Sequence, residues 1–231
     1  MTDLPDYLFA NPVWSALHSQ HRHFAVAKGN ACRYPAEVVP FASIAQSNPA
    51  AMQQLHALLT PEESVWFAAD HYAEIPELIR HETLPCLQMT LPQTIVPPDS
   101  SIATVPLSCA NANEMVALTT LAFPGFFRPR TCEMGSYFGV RSLSGELIAM
   151  GGERLKLDGF SEISAVCTHP SFRGQGFAAR LMWEVVRKHR REGVRSFLHV
   201  SAANQNAIKL YVYLGFQVTR TVTLHRVSRN V

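Results

Sequence analysis

Glycine is almost missing from the first half of this 231-residue chain: of 12 glycines only Gly29 precedes residue 100, whereas 11 of the 15 prolines do. A backbone-cradled anion site needs glycines that let a ligand approach the main chain, so such a site belongs to the second half. Charge is scarce too. Charged residues make up 16% and the net charge is +2, which excludes bulk attraction to nucleic acid or to a membrane surface. The five cysteines (Cys32, Cys86, Cys109, Cys132 and Cys167) are odd in number, widely spaced and form no CxxC pair. That pattern predicts neither a disulfide framework nor a zinc site and suits a reducing compartment. No apolar run approaches the roughly 20 residues that span a bilayer, and the acidic, proline-interrupted stretch Met1–Asp6 does not read as a signal peptide. A soluble cytoplasmic protein is expected. What is plentiful is apolar residue, 47% of the chain, enough for a real core.

Ile95–Ser101, with two prolines and two serines, reads as a connector. It divides the chain into an expected lobe 1–98 and an expected domain 99–231. In the lobe, Phe24–Ala27, Val38–Phe41, Val65–Ala68 and Cys86–Leu91 are candidate strands, Pro49–Leu59 a helix and Pro76–Arg80 a short helix. The second half is clearer. Thr104–Leu107 reads as a strand and Asn111–Phe123 as a helix, followed by a Pro124–Pro129 loop. Tyr137–Arg141 and Leu147–Gly152 flank Ser144-Gly145 as a hairpin, and Phe160–Thr168 is a third strand. In 177–191 the residues Ala178, Leu181, Met182, Val185, Val186 and His189 recur at helical spacing, and Gly193 ends that helix. Val194–Val200 is a buried-type strand and Asn206–Leu214 a helix closed by Gly215. Phe216–Thr219 and Val222–Val227 are two closing strands. The expected class is α/β with a mixed sheet.

The stretch Glu162–Leu181 carries the chemistry. A β-branched apolar run leads into His169-Pro170, then Arg173-Gly174-Gln175-Gly176, then a helix. A strand feeding a glycine turn at a helix N-terminus offers backbone N–H groups and the positive end of the helix dipole to a phosphate. No Gly-Lys-Ser/Thr follows, so this is not a P-loop. The third glycine of a dinucleotide fingerprint is missing. The segment Asn206–Phe216 would place Asn206 near a helix start and Tyr211 five residues on, where both can face one ligand.

Taken together, Val166–Leu181 with its Arg-Gly-x-Gly turn and the Asn-x-x-Ala-x-x-Leu-Tyr-x-x-x-Gly-Phe pattern of 206–216 resemble the GNAT superfamily of acyl-CoA-dependent N-acyltransferases. The resemblance covers slightly more than half of the chain. Glu162 ahead of the turn further resembles the glycine N-acyltransferase branch. One position departs from the pattern: Ser171 stands where the family often has Gln or Arg. The resemblance implies acetyl-CoA, or another acyl-CoA, as co-substrate and no metal. It implies that the main chain of Val166, Cys167 and Thr168 holds the pantetheine arm and acyl carbonyl. Arg173, Gly174, Gln175, Gly176, Phe177 and Ala178 would hold the pyrophosphate, Asn206 the pantetheine or the start of its helix, and Tyr211 would stand near the thioester sulfur.

Amine attack on a thioester needs a base, an oxyanion donor and a proton for the departing thiolate. Glu162 is the candidate base, because an extended strand puts it on one face with Ser164 and Val166, aimed into the cleft; Glu133 and Glu153 are rivals. Tyr211 is the candidate acid. Phe126 and Phe127 are candidates for the acceptor pocket or for plugging the core. The basic run 187–191 reads as a solvated helix C-terminus. The expected activity is transfer of acetyl to a primary amine of a small molecule or amino acid in a ternary complex. The alternative is a CoA-binding regulatory or interaction module without turnover. The lobe 1–98 is expected to be a degenerate GNAT-like half-domain that shapes the acceptor pocket, or else an unrelated lobe used for dimerisation; a homodimer, no nucleic acid and no membrane are the partner expectations.

Overall fold

A computed structural model describes residues 5–98 and 103–230. The N-terminal half contains helices α1 (Asp6–Phe9) and α2 (Pro12–Leu17) and strands β1 (Val26–Lys28), β2 (Ala31–Arg33) and β3 (Ala42–Ile44). Helix α3 (Pro49–His56) and strands β4 (Ser64–Ala68) and β5 (Leu78–Thr90) complete it. The C-terminal half runs β6 (Val105–Leu107), α4 (Ala112–Ala122), β7 (Tyr137–Arg141), β8 (Leu147–Leu157), β9 (Phe160–Thr168), α5 (Phe177–Arg191), β10 (Arg195–Ser201), α6 (Gln205–Tyr213) and β11 (Gln217–Arg229). Local chemistry explains many of the helix ends. Asn11 and Asn48 accept from the backbone N–H groups of Trp14 and Ala51, and Pro12 and Pro49 fill first helical positions where no N–H is needed. Helices α5 and α6 end alike: Gly193 and Gly215 take φ of 69° and 91°, and Val194 and Phe216 donate back to His189 and Tyr211. Only glycine adopts that left-handed closing residue without strain.

Strands β1–β3 form a small antiparallel sheet against which α3 buries Ala51, Met52 and Leu55. All other strands form one mixed sheet in the order β4-β11-β5-β10-β9-β8-β7-β6. Helices α5 and α6 cover one face; Leu181, Met182, Val185 and Val186 are fully buried there, each contributing roughly 1.5–3 kcal/mol. Helix α4 covers part of the other face with Met115 and Leu118. Beside it, Leu8, Phe9, Val13 and Leu17 of α1 and α2 pack on Leu155, Leu157, Phe160 and Phe197.

Several expectations are corrected. Pro76–Arg80 is not a helix, because Leu78–Thr90 is one strand that includes the expected Cys86–Leu91. Its outer part, Leu78–Pro85, pairs with β11 alone, so the exposed residues from Ile79 to Thr83 show no core-facing alternation. Val38–Phe41 is irregular, with one bridge from Phe41 to Trp66. The two closing strands are one strand, since no turn residue separates Thr219 from Val222 and a bulge after Val218 absorbs the irregularity. The division at 98/99 cuts through a sheet: β5 is hydrogen-bonded between β10 and β11 of the second half. Residues 99–102, part of the expected connector and its surroundings, lie outside the described residues. The cysteine pattern argues against a disulfide framework, yet one disulfide forms, between Cys109 and Cys132 with Cα atoms 5.3 Å apart. Helix α4 and its following loop double back and bring the two together, and Cys32, Cys86 and Cys167 remain free and buried.

Candidate functional site

The site begins where two parallel strands part. β9 and β10 pair only from Phe160–Glu162 to Arg195–Phe197, although both run on to Thr168 and Ser201. A cavity of about 850 Å³ opens in the gap, within the usual range for ligand sites. In it the edge of β9 opposite β8 has no strand partner over Ile163–Thr168, which leaves main-chain groups of Val166, Cys167 and Thr168 available to an extended ligand. A bulge shapes this edge. Ala165 sits at φ 55°, the one non-glycine among the described residues with positive φ. β9 advances from Ser164 to Cys167 while β8 advances only from Gly152 to Met150. A side chain in that conformation is strained by about 1–3 kcal/mol, and bulges of this kind re-aim the next side chains along the strand.

The turn expected to bind phosphate lies at the end of this edge. Gly174 and Gly176 take φ of 81° and 78°, and nothing lies within 4 Å of where a Cβ would stand on either. Gly176 is the N-cap of α5 and has no side-chain cap. Among the described residues no acceptor meets the backbone N–H groups from Gly174 to Ala179. Unpaired donors at the positive end of a 15-residue helix form an anion cradle. Arg173 is exposed and lines the cavity beside them. Ser171 spends its N–H on His169 Nδ1 at 3.2 Å.

Helix α6 forms the facing wall. Its cap is Asn204, whose side chain accepts from Ala207 N at 3.1 Å. Asn206 therefore does not order the helix, and its exposed side chain lines the cavity instead. Tyr211 lines it as well; burial pushes its phenol up to about 12, so it stays protonated at neutral pH. The Cys167 thiol, also raised to about 12 by burial, is inert as a nucleophile.

The carboxylates fall out differently from expectation. Glu162 is fully buried and does not line the cavity. Its face is shared with Ser164 but not with Val166: the Ala165 bulge turns Val166 toward α5, in the cluster that holds Ile163 and Met182. Both Glu162 oxygens are engaged, by Arg154 Nε at 2.9 Å and Nη2 at 2.6 Å, Leu155 N at 3.2 Å and His199 Nδ1 at 2.7 Å. Burial alone would raise this carboxyl, but Arg154 and His199 outweigh it and hold it well below the usual range. Arg154 and His199 do line the cavity. The side-chain nitrogen of Gln88 lies 2.9 Å from His199 Nε2, an arrangement that assigns the ring proton to Nδ1, facing Glu162. Glu153, the rival, is buried on the α5 side with His189 and Lys188. Glu133 is tied to Arg130 outside the cavity. Sequence reasoning missed Arg154, His199 and Asn204; a histidine inside the otherwise apolar run Phe197–Val200 was the available signal. The first half does reach the site, through Pro12, Val13, Phe41, Ala68 and Leu84. Among the described residues no group of His, Cys, Asp or Glu is placed to hold a metal, and no helix is long and apolar enough to cross a membrane.

Comparison with known proteins defines the class first. Residues 137–225 match the family model described as FR47-like protein. No curated protein matches the chain. Among solved structures, a GNAT-family acetyltransferase from Novosphingobium aromaticivorans is 33% identical over 99% of this chain and 100% of its own, with a TM-score of 0.89. A GCN5-related N-acetyltransferase from Kribbella flavida shares the fold at TM-score 0.64 and 15% identity, covering 100% of this chain and 97% of its own. One from Sphaerobacter thermophilus reaches TM-score 0.53 at 18% identity over 85% of this chain and 76% of its own. The fold is that of an acyltransferase. The chain belongs to the GNAT superfamily.

Proposed function

We propose that the protein moves an acetyl group from acetyl-CoA to a primary amine of a small molecule by direct attack, both substrates being bound together. The observation that carries this reading is the run of unpaired N–H groups from Gly174 to Ala179, placed at the end of an unpaired β9 edge. Such a surface suits a pyrophosphate joined to an extended, amide-bearing arm. In this reading Arg173, Gly174, Gln175, Gly176, Phe177 and Ala178 hold the pyrophosphate. Val166, Cys167 and Thr168 pair with the arm, and a β9 N–H meets the oxyanion as the amine adds to the acyl carbon. Asn206 contacts the arm from α6.

As the C–N bond forms, the amine proton passes to His199 Nε2, which requires the Gln88 amide to turn its oxygen toward that nitrogen in place of its NH2; the resulting imidazolium is stabilised by Glu162. As the C–S bond breaks, Tyr211 gives its proton to the departing thiolate. Glu162, expected to be the base itself, thus acts through the histidine. Holding both substrates in place supplies much of the acceleration. The test is thiol release from acetyl-CoA by the purified protein across a panel of amines and amino acids, with acetyl-CoA affinity measured by calorimetry. Binding and amine-dependent release support the reading; no binding of acetyl-CoA ends it. The enclosure of Glu162 in its ion pair favours one competing reading, a CoA-binding module without turnover. Tight binding with no release for any amine is the result that selects it.

A further inference from the structure

The elements assigned above to the donor occupy one side of the cavity, and the remaining wall has a composition of its own. We propose that this wall receives an amine carried on an apolar, ring-sized body with no second positive charge. The proposal rests on the acyl-transfer reading above and names the substrate class for the same site.

Two observations carry it. The first is the aromatic wall. Phe123, Phe126 and Phe127 come from the end of α4 and the loop after it, and Phe41, Val13 and Leu84 come from the first half. The Phe126 ring lies 5.9 Å from Phe41 and 5.5 Å from Trp66, tilted by 41° and 31°. Phe127 meets Tyr137 edge-on at 5.6 Å. Rings that brace one another this way form a pre-shaped apolar slot. The Arg154 guanidinium lies 4.8 Å from the centroid of Phe41 and closes it beside the Glu162–His199 pair.

The second observation is charge. Among the described residues no Asp, Glu or Lys side chain lines the cavity, and the charged side chains that do are Arg154 and Arg173. The carboxylate behind the wall, Glu162, has both oxygens engaged by Arg154, His199 and the Leu155 N–H. A polyamine or aminoglycoside brings several ammonium groups, and each one desolvated needs an acceptor or an opposite charge. Among the described residues this wall offers no free carboxylate to meet them, and its one nearby carboxylate, Glu162, is already taken by Arg154 and His199. An apolar body loses nothing there and releases water from the rings.

The test uses the full chain with acetyl-CoA as donor and three acceptors, 2-phenylethylamine, ethanolamine and spermidine, each followed by thiol release. Calorimetric titration of 2-phenylethylamine and of spermidine into CoA-saturated protein reads the same preference without turnover. Expected is a kcat/KM for 2-phenylethylamine at least about tenfold above that for ethanolamine, the scale on which a hydrophobic pocket discriminates, with spermidine lowest. Phe126→Ser should raise KM for 2-phenylethylamine about tenfold and leave that for ethanolamine unchanged. If that variant does not fold, the wild-type ratios and the titrations still decide. Spermidine equal to or better than 2-phenylethylamine, in turnover or in binding, overturns the proposal while the acyl-transfer reading stands. Thiol release with no amine at all overturns both.

Discussion

Glu153 and Glu162 lie on neighbouring strands, both fully buried and both hydrogen-bonded to a histidine, yet they do different work. Glu153 on β8 faces α5. It accepts from Ser136 N at 2.7 Å and Ser161 Oγ at 3.0 Å, and it bonds His189 Nε2 at 3.0 Å and Lys188 Nζ at 3.1 Å. His189 in turn reaches Ser196 Oγ at 2.8 Å. The set resembles a serine–histidine–acid relay, but none of its members lines the cavity, so it is an anchor that fastens α5 to the sheet. Glu162 on β9 faces the other way, and its partners Arg154 and His199 form the cavity wall. In the proposed mechanism the same local chemistry serves as an anchor or as catalytic machinery according to which face of one sheet it occupies.

Neutralising each carboxylate in turn puts that contrast under the greatest strain. Glu162→Gln is expected to lower kcat by about 10²–10⁴-fold, the span of a lost proton-transfer group, with KM for acetyl-CoA nearly unchanged. Steady-state kinetics checks this, and undiminished kcat removes Glu162 from the mechanism. Glu153→Gln is expected to leave kcat near wild type in the protein that remains folded. It should cost about 3–5 kcal/mol of stability, because it strips a buried ion pair of its anion; urea unfolding reads the loss.

Acid should expose both carboxylates together. Each is held well below its usual range in the folded protein against the opposing effect of burial, Glu153 by His189 and the Ser136 N–H, and Glu162 by Arg154 and His199. The unfolded state therefore binds more protons, and the stability they provide is present above about pH 4.3 and lost as the pH falls further. His21, lowered to about 4 by burial, begins the decline earlier, as the pH drops below about 6.5. Unfolding midpoints measured from pH 8 to 3 should show that course. A smaller effect, about a hundredfold in kcat, is expected for Tyr211→Phe, with the fold intact. The smallest is expected at the turn: Gly176→Ala forces a side chain into φ 78° at roughly 1–2 kcal/mol, and should weaken acetyl-CoA binding about tenfold by calorimetry.

The sequence read well wherever the signal was local. Phe160–Thr168 and residues 177–191 have the bounds expected of them, because a β-branched run, a positive-φ glycine turn and a strict helical stripe each announce themselves. What failed depends on pairing between distant segments. The outer half of β5 is polar because it pairs with β11 alone, and no periodicity reveals that the inner half, Cys86–Thr90, inserts between β10 and β11. The orientation assigned to Val166 relative to Glu162 failed at one residue, Ala165, whose positive φ no glycine advertises. Arg154 and His199 come into view only when β8 and β10 are brought beside β9.

Everything proposed for the site depends on the turn after β9 and the free edge before it holding the acyl donor. Amide chemical-shift mapping on isotope-labelled protein titrated with acetyl-CoA tests this without recourse to turnover. The largest shifts should fall on Gly174 to Ala179 and on Val166 to Thr168, saturating together. Saturable binding that leaves those amides unmoved, with the large shifts elsewhere, would contradict it.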